Sequence, residues 1–185
     1  MDNLFLNAIN KKECQVPPIW MMRQAGRYHK HYKSMRAKHS FMELCLNPEL
    51  ACEVAMGPIN DFDFDAAILF SDLLFPFKAL GLGLDYTDSG PVLGKKLDLK
   101  NINELKPLSE ALEDMQFQKK ALQLTRANLN KNKGLIGFVG GPWTLFVYAI
   151  EGSHIGALTE SKKNIYGPLW KKFSEIITPF LIENI

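Results

Sequence analysis

Residues 66–72 read AAILFSD. Five apolar residues in a row, with no polar alternation, describe a strand buried on both faces. That pattern suits a parallel sheet covered by helices better than a half-wetted antiparallel strand. The acid that closes the run, Asp72, is costly to bury unless it is paired or accepts hydrogen bonds. In parallel α/β folds ligands collect at the carboxyl ends of the strands, so a strand ending on a carboxylate is a place to look for chemistry.

Two further runs have the same character, at 19–22 and 135–139. All three are expected as strands, and each leads into a polar or glycine-rich segment: RQAGR, SDLLF and GGPWT. Helical patterns lie between them. Asn47-Pro48-Glu49 combines a capping side chain, a proline at the first helical position and an acid in the first turn. Leu50, Ala51, Val54 and Ala55 then share a face, and Pro58 is expected to end or kink the helix. A second helix is predicted over 108–131, with Leu112, Met115, Leu122 and Leu129 on one stripe. A third runs from 168 to the end, with Trp170, Phe173, Ile177 and Leu181 in register and a bend at Pro179. Residues 80–97, LGLGLDYTDSGPVLGKKL, read as a hairpin turning at DSGP. Strands alternating with helices give an α/β class, read as one domain over 1–185.

Bulk properties narrow the function. The 185 residues are 46% hydrophobic and 23% charged, with a formal net charge of +2, ordinary for a soluble globular protein. That charge argues for neither nucleic acid nor an acidic membrane surface, so any anion site is local. Cys14, Cys45 and Cys52 are odd in number and contain no Cys-x-x-Cys pair, against a disulfide framework or a zinc ribbon. No signal peptide is evident, and the uncharged stretch 135–150 falls short of the ~20 apolar residues that span a bilayer. A reducing cytoplasm is expected.

Against that neutral background, Arg23 and Arg27 stand four apart around Ala25 and Gly26, in MMRQAGRY. A guanidinium stays charged and its fork matches a carboxylate in bidentate fashion; glycine lets the backbone approach a ligand. Arg36 could reach the same cavity. Surface arginines flanking a turn are the plain alternative. Asp72 could likewise be a cap or a structural ion partner. Asp61, Asp63 and Asp65 read as solvated or capping, and Tyr148 and Trp143 as core aromatics. His29 and His31 are two apart and would not face one another on a helix; His39 and His154 lack acidic or cysteine partners at ligand spacing. Metal binding is disfavoured. GLGLDY lacks the third glycine of a dinucleotide fingerprint.

PPIWMMRQAGRY, AAILFSD and GFVGGPWTL followed by Tyr148 and Glu151-Gly152 resemble the uroporphyrinogen decarboxylase family, in order along the whole chain. The resemblance implies a (β/α)8 barrel, usually a cytoplasmic homodimer. It also implies loss of CO2 from the four acetate side chains of uroporphyrinogen III, giving coproporphyrinogen III, with no metal or organic cofactor. By position it implies a substrate-binding run of Arg23, Gln24, Ala25, Gly26 and Arg27, with Arg36 a further contact. Asp72 falls on the central aspartate and Tyr148 on the pocket tyrosine. Asp72 would accept the pyrrole N–H groups and stabilise positive charge on the protonated ring. Which group delivers the proton is left open; Arg23 is a candidate by analogy, although a guanidinium is a poor acid.

The resemblance also implies chains nearly twice as long, with later strands, a serine or threonine contact and a histidine that have no counterpart here. About three barrel strands, a hairpin and helices are expected, and a truncated piece inactive alone. Two other readings stand beside it. One is a cobalamin-linked methyltransferase barrel, disfavoured by the arginine motif. The other is a non-catalytic module that binds porphyrinogens or a partner chain.

Overall fold

A computed structural model describes residues 3–87 and 90–185. In chain order its elements begin with α1 (Leu4–Ile9), α2 (Lys30–Lys38), α3 (Phe41–Leu46), α4 (Pro48–Phe62) and β1 (Ala66–Ile68). Next come α5 (Phe75–Ala79), β2 (Leu84–Thr87), β3 (Gly90–Leu93), α6 (Leu108–Asp114) and α7 (Gln116–Asn128). The chain closes with β4 (Gly134–Ile136), α8 (Pro142–Glu151), α9 (Thr159–Asn164) and α10 (Pro168–Asn184). It forms two compact units, one of residues 1–71 with 117–138 and one of residues 72–116 with 139–185. No helix among the described residues is long and apolar enough to cross a membrane.

The first unit is built on a parallel pair. β1 and β4 lie side by side with Ala66 opposite Gly134 and Ile68 opposite Ile136, as continuous apolar runs lead one to expect. Ala67 and Leu69 are two apart and share a strand face. Ala67 packs with Ile59 of α4 and Leu129 just beyond α7, and Leu69 with Ala51 of α4 and Ala121 of α7. The α4 start is as the sequence indicates: the Asn47 side chain accepts from Leu50 N at 3.0 Å, and Pro48 takes the first position. Pro58 does not end that helix, which continues to Phe62. The flank before Pro58 is held by the buried face of Ala51, Val54 and Ala55, and such packing outweighs one missing N–H.

The expected strand at 19–22 is absent. One ladder-like bond forms, from Asp65 N to Ile19 O at 2.9 Å, and side chains then take over that edge. Asp65 Oδ2 accepts from Ile19 N at 2.7 Å, and Gln24 Nε2 donates to Ala66 O at 3.1 Å. With those groups occupied no ladder propagates, and Met21 and Met22 lie exposed. Below the sheet, Lys133 is a buried staple. Its ammonium donates to Asp63 O at 3.0 Å and Phe64 O at 2.8 Å, and pairs with Asp63 Oδ1 at 2.7 Å.

The helix predicted over 108–131 is two helices, α6 and α7, separated at Met115. Met115 N turns back onto Leu112 O at 3.2 Å, and the apolar stripe alone did not register that break. In the second unit the hairpin is as expected, with Leu84 opposite Leu93 and Thr87 opposite Gly90; Asp88 and Ser89 of its DSGP turn lie outside the described residues. Phe173, Ile177 and Leu181 of α10 are buried, while Trp170 is half-buried. The helix runs through Pro179 to Asn184. Trp143 packs edge-on against Trp170 at 5.5 Å, the core role its sequence context suggests.

Candidate functional site

The RQAGR segment is a tight turn whose outward face carries the charges. Gln24 N donates to Met21 O at 3.0 Å and His29 N to Gly26 O at 2.9 Å. Arg23 takes a left-handed backbone with φ 59°, a conformation that costs a non-glycine residue about 1–2 kcal/mol. Gly26 is obligatory: a Cβ there would sit 2.7 Å from Arg23 O. Gln24 faces inward and is buried. Its amide nitrogen holds Ala66 O, its oxygen accepts from Met21 N at 3.4 Å, and its carbonyl accepts from the Tyr28 hydroxyl at 2.8 Å. Gln24 therefore ties the turn to β1, and Arg23 and Arg27 are left exposed, with Ala25 and Gly26 half-buried between them.

Arg36, in the last turn of α2, donates from Nη1 to His39 O at 2.6 Å. It lies beside the buried hydroxyl of Tyr32. Burial raises the Tyr32 pKa, while the charges of Arg36 and Arg27 pull it back down. The first unit thus gathers Arg27 and Arg36 around Tyr32, a residue the sequence reading passed over. Its spacing of four from Arg36 along a helix was the available signal.

The histidines and acids at this end form pairs. His29 caps α2 and is not helical, so the spacing argument does not apply; its ring lies 5.9 Å from that of His31. His29 Nε2 meets Asp61 Oδ2 at 2.7 Å, and His31 Nε2 lies 3.5 Å from Glu53. Asp61 and Asp63 are both exposed, as expected, and each also has a partner: Asp61 the buried His29, and Asp63 Lys133. Asp63 does also cap α4, in a left-handed conformation with φ 56°. Among the described residues no three His, Cys, Asp or Glu side chains gather as a metal ion would need.

The second unit holds the other two candidates. Asp72 is half-buried just past β1. Its Oδ1 accepts from Leu74 N at 2.9 Å, and no cation among the described residues forms an ion pair with it. Tyr148, half-buried on α8, has its pKa raised by burial and then by the negative charge of Asp72. The two side chains therefore share a local field. The Tyr148 hydroxyl is hydrogen-bonded to His154 Nδ1, a partner that the sequence reading did not assign.

The uroporphyrinogen decarboxylase family model matches residues 1–185. A uroporphyrinogen decarboxylase of Francisella philomiragia is 37% identical over 194 residues, covering 100% of this chain and 56% of its own length. One from Histophilus somni is 42% identical over 164 residues, covering 88% of this chain and 46% of its own length. The chain thus spans about half the length of the curated relatives it matches. Among solved structures, a methyltransferase from Methanosarcina mazei aligns with a TM-score of 0.62 at 15% identity, over 100% of this chain and 55% of that one. At that identity the likeness is one of fold.

Proposed function

The chain belongs to the uroporphyrinogen decarboxylase family, and on that premise we propose that it acts on uroporphyrinogen III, in the removal of CO2 from its four acetates to give coproporphyrinogen III. The observation that carries this reading is the 23–27 turn, which spends Gln24 on the fold and leaves two guanidiniums facing outward. The substrate carries eight carboxylates, and Arg23, Arg27 and Arg36 suit them as charged bidentate donors. Ala25 and Gly26 leave room for close approach.

A pyrrole acetate loses CO2 once its ring is protonated, because the cationic ring accepts the electron pair of the breaking C–C bond. Asp72 is assigned to the pyrrole N–H groups, as an acceptor that stabilises the developing cation. Preorganised electrostatics of this kind are worth about 2.7–4 kcal/mol. Tyr148, in the field of Asp72, is assigned to the substrate as well. The reading extends to a cytoplasmic homodimer of (β/α)8 barrels, free of cofactor and of nucleic-acid partners. The parallel β1–β4 pair and the modest net charge of +2 support it.

The test is anaerobic titration of the chain with uroporphyrinogen III, followed by single-turnover incubation with the chain in excess. Products are then oxidised and separated by carboxylate number. Saturable binding that weakens with salt and with Arg23→Ala or Asp72→Asn is expected, with slow loss of carboxylates under single-turnover conditions, since turnover at ordinary enzyme rates is not expected of this chain alone. Binding without CO2 release would assign the chain to porphyrinogen capture instead. Unchanged affinity in both variants would remove those residues from the site.

A further inference from the structure

The reaction proposed above consumes one proton per acetate, and a guanidinium is a poor source of it. Past the end of α8, Gly152 turns left-handed with φ 77° and carries the chain back over the helix. This brings His154 onto Tyr148, with ring centroids 5.2 Å apart and Nδ1 bonded to the phenol oxygen. His154 is exposed, whereas Tyr148 is half-buried and feels the negative charge of Asp72. One end of the pair meets water and the other lies in the field of the carboxylate assigned to the pyrroles.

We propose that His154 is a positioning residue for the decarboxylation, aiming the Tyr148 hydroxyl and resupplying its proton from solvent. This rests on the reading above. In the neutral pair the Tyr148 hydroxyl donates to Nδ1. When His154 takes a proton from water, its Nδ1–H donates to the Tyr148 oxygen and turns the hydroxyl proton outward. Breakage of the bond between the acetate methylene and its carboxylate releases CO2 and leaves the electron pair in an exocyclic methylene conjugated to the ring. That carbon accepts the Tyr148 proton and becomes the methyl, Tyr148 recovers a proton from His154 Nδ1, and the ring returns the proton that activated it. The sum is one carboxylate and one proton in, one CO2 and one methyl out.

Two measurements on the full chain test this. Side-chain nitrogen NMR of His154 is expected to change on Tyr148→Phe; identical spectra would overturn the pair itself. In single-turnover decarboxylation, His154→Gln is expected to slow CO2 release at least tenfold with half-saturating substrate concentration unchanged, and added imidazole to restore part of the rate in His154→Ala. A wild-type rate in His154→Gln, or a loss confined to affinity, would overturn the relay and leave the decarboxylase reading standing. Absence of turnover in the wild-type chain, with the NMR change present, would overturn that reading and the relay's catalytic role with it.

Discussion

Gln24→Leu isolates what holds the arginine turn. Leucine keeps nearly the volume of glutamine, so little cavity cost enters. What disappears is the Nε2 donor to Ala66 O, a 3.1 Å bond at a side chain that is 1% exposed. The bond to Oε1 from Met21 N is 3.4 Å long and contributes little. A buried acceptor stripped of its donor costs about 1–3 kcal/mol, and the middle of that range, about 2 kcal/mol, is expected here. For a chain of this size that corresponds to a fall in Tm of about 4–8 °C. Urea unfolding followed by circular dichroism reads the same loss as an earlier midpoint with an unchanged slope. Gln24→Glu sharpens the test. An ionised carboxylate cannot donate to Ala66 O, so the loss at neutral pH should exceed that of leucine and shrink as acid restores a donor. A change below about 0.5 kcal/mol in Gln24→Leu, the range of ordinary surface substitutions, would refute the claim that Gln24 ties the turn to β1.

Lys133→Met removes two charged bonds to the carbonyls of Asp63 and Phe64. It should cost about 3 kcal/mol in urea unfolding, with little of that from the exposed Asp63 carboxylate. Glu43 completes the capping box on Ser40, whose backbone and hydroxyl hydrogen bonds hold its pKa below the ordinary carboxylate value. A depressed folded-state pKa gives stability that is present above the unfolded-state pKa and is lost as pH falls through the folded one. Glu43→Gln should therefore flatten the acid limb of a stability-versus-pH curve. Arg36→Ala removes a charge that lowers the Tyr32 pKa against the effect of burial, so ultraviolet titration should find that tyrosine ionising at still higher pH.

Local physics made much of this molecule legible. The Asn47-Pro48-Glu49 start needed no tertiary help, since the cap bond lies within three residues of chain. The apolar runs at 66–70 and 135–139 pointed to a parallel pair, which forms over the shorter Ala66–Ile68 and Gly134–Ile136, although residues 135–139 are not fully buried. The hairpin and the amphipathic stripe of α10 followed from glycine placement and helical period. The arginine pair and the acid at the strand end were visible as costs that a sequence does not carry without cause.

Other features depended on groups distant in sequence. The run at 19–22 has the composition of a strand, yet strand formation is a property of both edges. Here the partner edge was taken by Gln24 and Asp65 side chains. Lys133 became a staple only across some 70 residues of chain. His154 met Tyr148 because one left-handed glycine reversed the backbone. The sequence by itself determined most of the elements, through propensity, capping and period, which act over a few residues, but not the fate of 19–22 or the break at Met115. Which polar groups distant in sequence face one another was decided by tertiary structure, because a hydrogen bond needs atoms within about 3 Å and no local pattern encodes that meeting.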